Sequence, residues 1–61
     1  MTPALYRKII ASWGLSQEAA GVWLKASKRT GQNYAAKGPT PQVALLLRLM
    51  LRLGLTPDDV N

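Results

Sequence analysis

Residues 15–38 read Leu-Ser-Gln-Glu-Ala-Ala-Gly-Val-Trp-Leu-Lys-Ala-Ser-Lys-Arg-Thr-Gly-Gln-Asn-Tyr-Ala-Ala-Lys-Gly. Two helix starts lie in this stretch. Ser16 is suited to cap one helix, with Gln17 and Glu18 in its first turn, and Ser27 is suited to cap a second. The apolar side of the first helix ends at Leu24, so the two helices meet in a tight turn. The second helix turns Lys28, Arg29, Gln32 and Asn33 outward. Such side chains read base edges and hold phosphates.

Working outward, the same punctuation recurs. Thr2-Pro3 is a cap followed by a proline at the first helical position, and Leu5, Ile9, Ile10 and Trp13 follow at helical spacing. This predicts helix 1 over roughly residues 3–13, with Gly14 as its C-terminal cap. Helix 2 is expected over roughly 17–25, with Ala20, Val22 or Trp23, and Leu24 on its buried side. The small residues Ala20 and Gly21 would let another helix approach closely. Helix 3 is expected over roughly 28–36 and is ended by Gly38, in a left-handed conformation, and Pro39. Thr40-Pro41 opens helix 4, over roughly 41–53, which stops at Gly54. Thr56-Pro57-Asp58-Asp59 starts one further turn. No run alternates with strand periodicity, so the expected fold is all-α, a compact bundle of four to five helices in one domain over residues 1–61.

Sixty-one residues bury a marginal core, and chains of this size are often helped by self-association. The hydrophobic fraction of 48% is that of a folded chain. There is neither cysteine nor histidine, and the acids are Glu18, Asp58 and Asp59 alone. No base tuned near neutrality and no metal cluster can be assembled from that set, so neither an enzyme nor a cofactor is expected. Eight Lys and Arg against three acids give a net charge of +5. The excess lies entirely in residues 1–38, where Arg7, Lys8, Lys25, Lys28, Arg29 and Lys37 face only Glu18. A one-sided excess of this kind points to a polyanionic partner, and the alternative is a basic surface kept for solubility. No apolar leader follows the N-terminus, and the apolar run of residues 43–51 is interrupted by Arg48. The expectation is a cytoplasmic protein with no membrane segment and no evident small-molecule ligand.

The spacing of Leu15-Ser16-Gln17-Glu18, the small residues after it, and Ser27-Lys28-Arg29-Thr30 with Tyr34 and Gly38 resembles the lambda-repressor-like helix-turn-helix proteins, the Cro/CI or XRE type. The similarity runs without a gap over residues 15–36, and the flanks Pro39-Thr40-Pro41 and Val43–Arg48 fit as well. The resemblance implies a recognition unit over about residues 16–37, binding a double-stranded DNA operator with helix 3 in the major groove. Carried over by position, Lys28, Arg29, Gln32 and Asn33 fall where base contacts are made. Gln17, Ser27, Thr30, Lys37, Thr40 and Gln42 fall where the phosphate backbone is held. A helix N-terminus independently favours an anion near Gln17. Thr40 can equally be only a cap. Arg7 and Lys8 read as a solvated helix face. Two positions depart from the family pattern. Gly31 stands where Val or Ile is usual and leaves a hole that Trp23 could fill, and Lys25 stands where the turn often has Gly. Trp13, Trp23 and Tyr34 read as core residues rather than base-stacking platforms.

Helix 4 carries apolar residues around roughly two-thirds of its circumference, broken only by Arg48 and Arg52. A monomer's surface helix needs an apolar arc nearer 100°. With Val43, Leu47 and Met50 facing the core, Leu45, Leu49, Arg52 and Leu53 are left as an expected homodimer interface. The alternative is that the C-terminal turn, with Leu55 and Val60, covers that arc. The resulting expectation is a transcriptional repressor acting as a homodimer on a palindromic operator. In size and design the chain resembles small phage regulators that shut down their own operon, anti-CRISPR-associated regulators among them. An antitoxin-type or other protein-interaction module of the same fold, with weak DNA binding, is the alternative.

Overall fold

The computed structural model describes residues 1–60. Helices α1 (Pro3–Ser12), α2 (Gln17–Trp23), α3 (Lys28–Lys37) and α4 (Pro41–Leu53) are followed by a 3-10 turn at Pro57–Asp59, and there is no strand among the described residues. Four hydroxyls start the four helices. Thr2, Ser16, Ser27 and Thr40 accept the N–H groups of Leu5, Ala19, Thr30 and Val43 at 3.1, 3.0, 3.0 and 3.3 Å. Each satisfies one donor that the first turn leaves without a partner. In the last turn the Asp59 carboxylate accepts from the Thr56 N–H at 2.8 Å and from its hydroxyl.

Three of the helix ends share one geometry. After α1, the N–H of Leu15 returns to the carbonyl of Ile10 with Gly14 at φ +74. After α4, Leu55 returns to Met50 with Gly54 at φ +71. After α2, Ala26 returns to Gly21, and the left-handed position is occupied by Lys25 at φ +62. These are Schellman endings, which favour glycine at the left-handed residue. The third ending stops α2 two residues short of the expected Lys25. Gly38 has a positive φ of +98 as well, but with ψ at 154° it is not the left-handed helical state expected.

Tyr6, Ile9, Ile10, Ala20, Ala35, Ala44, Leu47 and Met50 form the buried core. Met1, Trp13, Leu15, Trp23, Tyr34 and Val43 pack around it. On α1 the inward stripe is Tyr6, Ile9, Ile10 and Trp13, and the expected Leu5 is 43% exposed. Positions 6, 9, 10 and 13 follow the helical repeat more closely than a set that includes residue 5. On α2 the chain turns Ala20 and Gly21 inward and leaves Val22 exposed.

The expected hole at Gly31 does not exist. Gly31 lies directly against Gly21, and a Cβ built on Gly31 would come 2.9 Å from the Gly21 Cα and collide with the Gln17 carbonyl oxygen. A Cβ on Gly21 would in turn come 2.8 Å from the Gly31 Cα. Backbone therefore meets backbone where α2 crosses α3, and no side chain fits between. Trp23 packs elsewhere, edge-on to Trp13 with centroids 5.8 Å apart. Tyr6 packs edge-on to Tyr34 at 6.0 Å. Both separations lie in the range that aromatic pairs favour. No helix among the described residues is long and apolar enough to cross a membrane.

Candidate nucleic-acid interface

The glycine crossing decides which side of α3 faces out. Gly31 and Ala35 are buried, and Tyr34 is half-buried behind them. At about 100° per residue, Arg29 lies opposite that side. Asn33 is about 40° from Arg29 in one direction, and Ala36 and Gln32 about 20° and 60° in the other. Lys28, Arg29, Gln32, Asn33 and Ala36 are all exposed. The four expected base-contacting residues thus share one face, with Lys28 and Lys37 at its two edges.

The electrostatics of this face are unusual for a helix. The N-terminal end of a helix carries the positive pole of the macrodipole and ordinarily attracts acids. The first turn of α3 has no acid and instead carries Lys28 and Arg29. Charge and dipole add rather than cancel there, which costs helix stability and creates a strong attraction for an anion.

The expected phosphate-contacting residues fall into two groups. Gln17 opens α2, and its backbone carbonyl lies against Gly31, which puts the start of α2 beside the first half of α3. Ser27 and Thr30 belong to the same end, but their hydroxyls are hydrogen-bonded to each other at 3.0 Å, and Ser27 also caps the helix. Lys37, Thr40 and Gln42 belong to the opposite end of α3, roughly 15 Å away along its ten residues. Thr40 is engaged as the α4 cap. The free polar side chains of the two groups are therefore Gln17 at one end and Lys37 and Gln42 at the other, all exposed.

Two residues take places not expected from the sequence. The Arg7 guanidinium is not simply solvated: it donates to the Ala35 carbonyl and ties α1 to the last turn of α3. A cation is favourable at that end of a helix. Its partner is 28 positions away, so local spacing carries no sign of it. Ala36 lies at the centre of the outward face, which the helical repeat alone would have revealed.

The aromatic rings do not belong to this face. Tyr6 is fully buried, its hydroxyl has no hydrogen-bond partner among the described residues, and burial followed by the proximity of Tyr34 holds its pKa above the ordinary 10.0.

The side of α4 opposite Leu47 and Met50 carries Leu45, Leu49, Arg52 and Leu53 together, as expected from the repeat. Leu45, Leu49 and Leu53 are 69%, 52% and 62% exposed. The C-terminal turn leaves these leucines uncovered, and Val60 is itself exposed. Beside them, an open groove of about 330 Å³ is lined by Trp23, Leu24, Lys25, Leu46 and Val60. Lys25 is its single charged side chain.

No family model matches the chain, and no curated protein or solved structure is significantly similar to it.

Proposed function

We propose that the chain is a sequence-specific double-stranded DNA-binding repressor of the helix-turn-helix, lambda-repressor-like kind, with α2 and α3 as its recognition unit. The observation that carries this reading is the outward face of α3, which combines Lys28 and Arg29 at the positive pole of the helix with Gln32 and Asn33 one turn on. A purely solvated helix gains nothing from cations at that end. In a major groove they meet phosphates and guanine edges.

Each side chain has a definite chemistry in that pose. Arg29 can donate two hydrogen bonds to guanine, and Asn33 and Gln32 can pair in bidentate fashion with adenine. Lys28 serves guanine or a phosphate. Gln17, Lys37 and Gln42 hold the backbone on either side and fix the register without reading sequence. The exposed Leu45, Leu49 and Leu53 support self-association through α4. Two α3 helices related by that two-fold axis would enter successive major grooves about 34 Å apart on a pseudo-palindromic operator. Repression follows from occupancy, because the bound dimer excludes other proteins from the site.

The same exposed leucines favour a second reading, in which α4 docks an unrelated protein, as an antitoxin does, and DNA binding is weak. Selection of bound duplexes from a random library separates the two. The repressor reading expects a palindromic consensus whose affinity falls steeply with salt, because each neutralised phosphate releases counterions. Recovery of no consensus, with salt-insensitive binding, would reject it.

A further inference from the structure

We propose that the groove between the end of α2 and α4 is a docking site for an acidic peptide segment of another protein, anchored by one bulky apolar side chain. Its walls are Trp23, Leu24, Leu46 and Val60, and Lys25 is the one charged side chain lining it. None of these residues belongs to the α3 face or to the row of Leu45, Leu49 and Leu53. The site therefore neither needs DNA nor excludes pairing through α4.

Two independent observations meet at Lys25. The first is its backbone. α1 and α4 end on Gly14 and Gly54 at φ +74 and +71, whereas α2 ends on Lys25 at φ +62. A residue with a Cβ is strained in that conformation and glycine is not. Strain of this kind collects at sites that bind ligands. The second is its surroundings. The exposed Lys25 side chain lines a cavity of about 330 Å³ whose other four side chains are apolar. Leu46 and Val60 are themselves exposed, so the walls present uncovered apolar surface.

This combination selects the occupant. Apolar walls take an aromatic or aliphatic side chain out of water. A lysine at their edge takes a carboxylate next to that side chain. A nucleic-acid phosphate would instead set its charge against four apolar side chains. A second copy of the chain has no suitable segment to offer. Its one pairing of acids with a larger apolar residue is Asp58-Asp59-Val60, in which Val60 already lines the groove and Asp59 is hydrogen-bonded to Thr56. The groove thus suits a foreign segment in which Asp or Glu stands beside Leu, Phe or Trp.

The experiment pans a displayed library of random peptides against the full chain and titrates the recovered sequence as a synthetic peptide. The consensus should pair an acid with a bulky apolar residue. The peptide should shift the Trp23 indole N–H resonance and leave the backbone amides of Arg29 and Asn33 unmoved. Lys25→Gly keeps the turn, because glycine accepts its φ. It should weaken the peptide roughly two- to fivefold, the value of an exposed ion pair, and remove most of the salt dependence. Lys25→Arg should restore both. Leu46→Glu, at an already exposed position, should weaken the peptide by more than roughly tenfold, since it sets a charge in an apolar wall. The proposal is overturned if no consensus is recovered, if the consensus lacks an acid, or if Lys25→Gly binds the peptide as the wild type does. It is also overturned if Lys25→Gly weakens all duplexes and lowers the salt slope by about one, because Lys25 would then hold phosphate. A Trp23 resonance that moves with protein concentration alone would overturn it in favour of a second copy.

Discussion

The crossing of α2 and α3 and the flanks of α4 are built in opposite ways. At the crossing, Gly21 meets Gly31, with Ala20 and Ala35 beside them, and the contact surfaces are almost bare of side chains. On α4, Leu47 and Met50 reach into the core while Leu45, Leu49 and Leu53 of the same helix stay in solvent. One region spends its small residues on closeness, which leaves the outer face of α3 free for polar chemistry. The other is apolar on both sides, more than a lone helix of a 61-residue domain needs. Under the proposed function, α3 takes the polar partner and α4 the apolar one.

The sharpest way to break this contrast is Gly31→Ala. The new Cβ meets backbone rather than a yielding side chain, so the variant should lose about 3 kcal/mol, at the upper end for overpacking. A thermal melt near the wild-type midpoint would show that the helices part without cost. On the other side of the contrast, Leu49→Glu should leave the melt of the monomer nearly unchanged, because Leu49 is half in solvent already. It should instead abolish self-association and lower affinity for a full operator by roughly a hundredfold. Sedimentation that finds the wild type monomeric at high micromolar concentration, with and without duplex, would defeat the dimer. Arg29→Ala tests the outer face of α3 against its inner face. It should cost about 1–3 kcal/mol at the preferred site and relax one base position, with no loss of stability. Unaltered sequence preference would remove Arg29 from the reading face.

Smaller effects sharpen the comparison at its margins. Gly14 and Gly54 end two helices in a conformation that Lys25 adopts at the end of α2. Lys25→Gly should therefore stabilise by roughly 0.5–1 kcal/mol, the left-handed penalty of a residue with a Cβ less the added freedom of the unfolded chain. A lower midpoint would mean that the Lys25 side chain contributes something glycine cannot. Tyr6→Phe should change stability least at neutral pH, within about 1 kcal/mol and in the stabilising direction, since it removes a buried hydroxyl with no partner. The folded pKa of Tyr6 lies above the unfolded value of 10.0. Its protonated state therefore supports the fold fully below pH 10, and that support is lost as pH rises through the raised folded value. The phenylalanine variant should hold its midpoint further into alkali than the wild type, and coincident pH–stability curves would contradict this.

Much of this was legible because the deciding interactions are local. The caps at Thr2, Ser16, Ser27 and Thr40 bond three residues ahead, and a hydroxyl before a helical pattern announces itself. The outward placement of Lys28, Arg29, Gln32 and Asn33, and of Leu45 and Leu49, follows from the helical repeat. What sequence reading missed depends on partners distant along the chain. Gly31 reads as a hole until Gly21 is found against it. Arg7 reads as solvated until the Ala35 carbonyl is found beneath it. Leu5 fits a helical spacing with Ile9, but Tyr6 is the buried residue, and positions 6, 9, 10 and 13 cover a narrower arc. Lys25 lies outside α2 because the return of Ala26 to Gly21 puts it in the left-handed state, which a lysine does not announce in sequence.

A joint made of two glycines has no rotamers. Side-chain repacking, the means by which most helix pairs adjust their tilt, has nothing to act on where α2 crosses α3. The contact that sets the pose of α3 involves none of Lys28, Arg29, Gln32, Asn33 and Ala36, which all lie exposed on its far side. Positions 21 and 31 are restricted to a single residue type, and the outer face is open to many. Under the proposed function, new sequence preferences are reachable by changes confined to that face, one residue at a time.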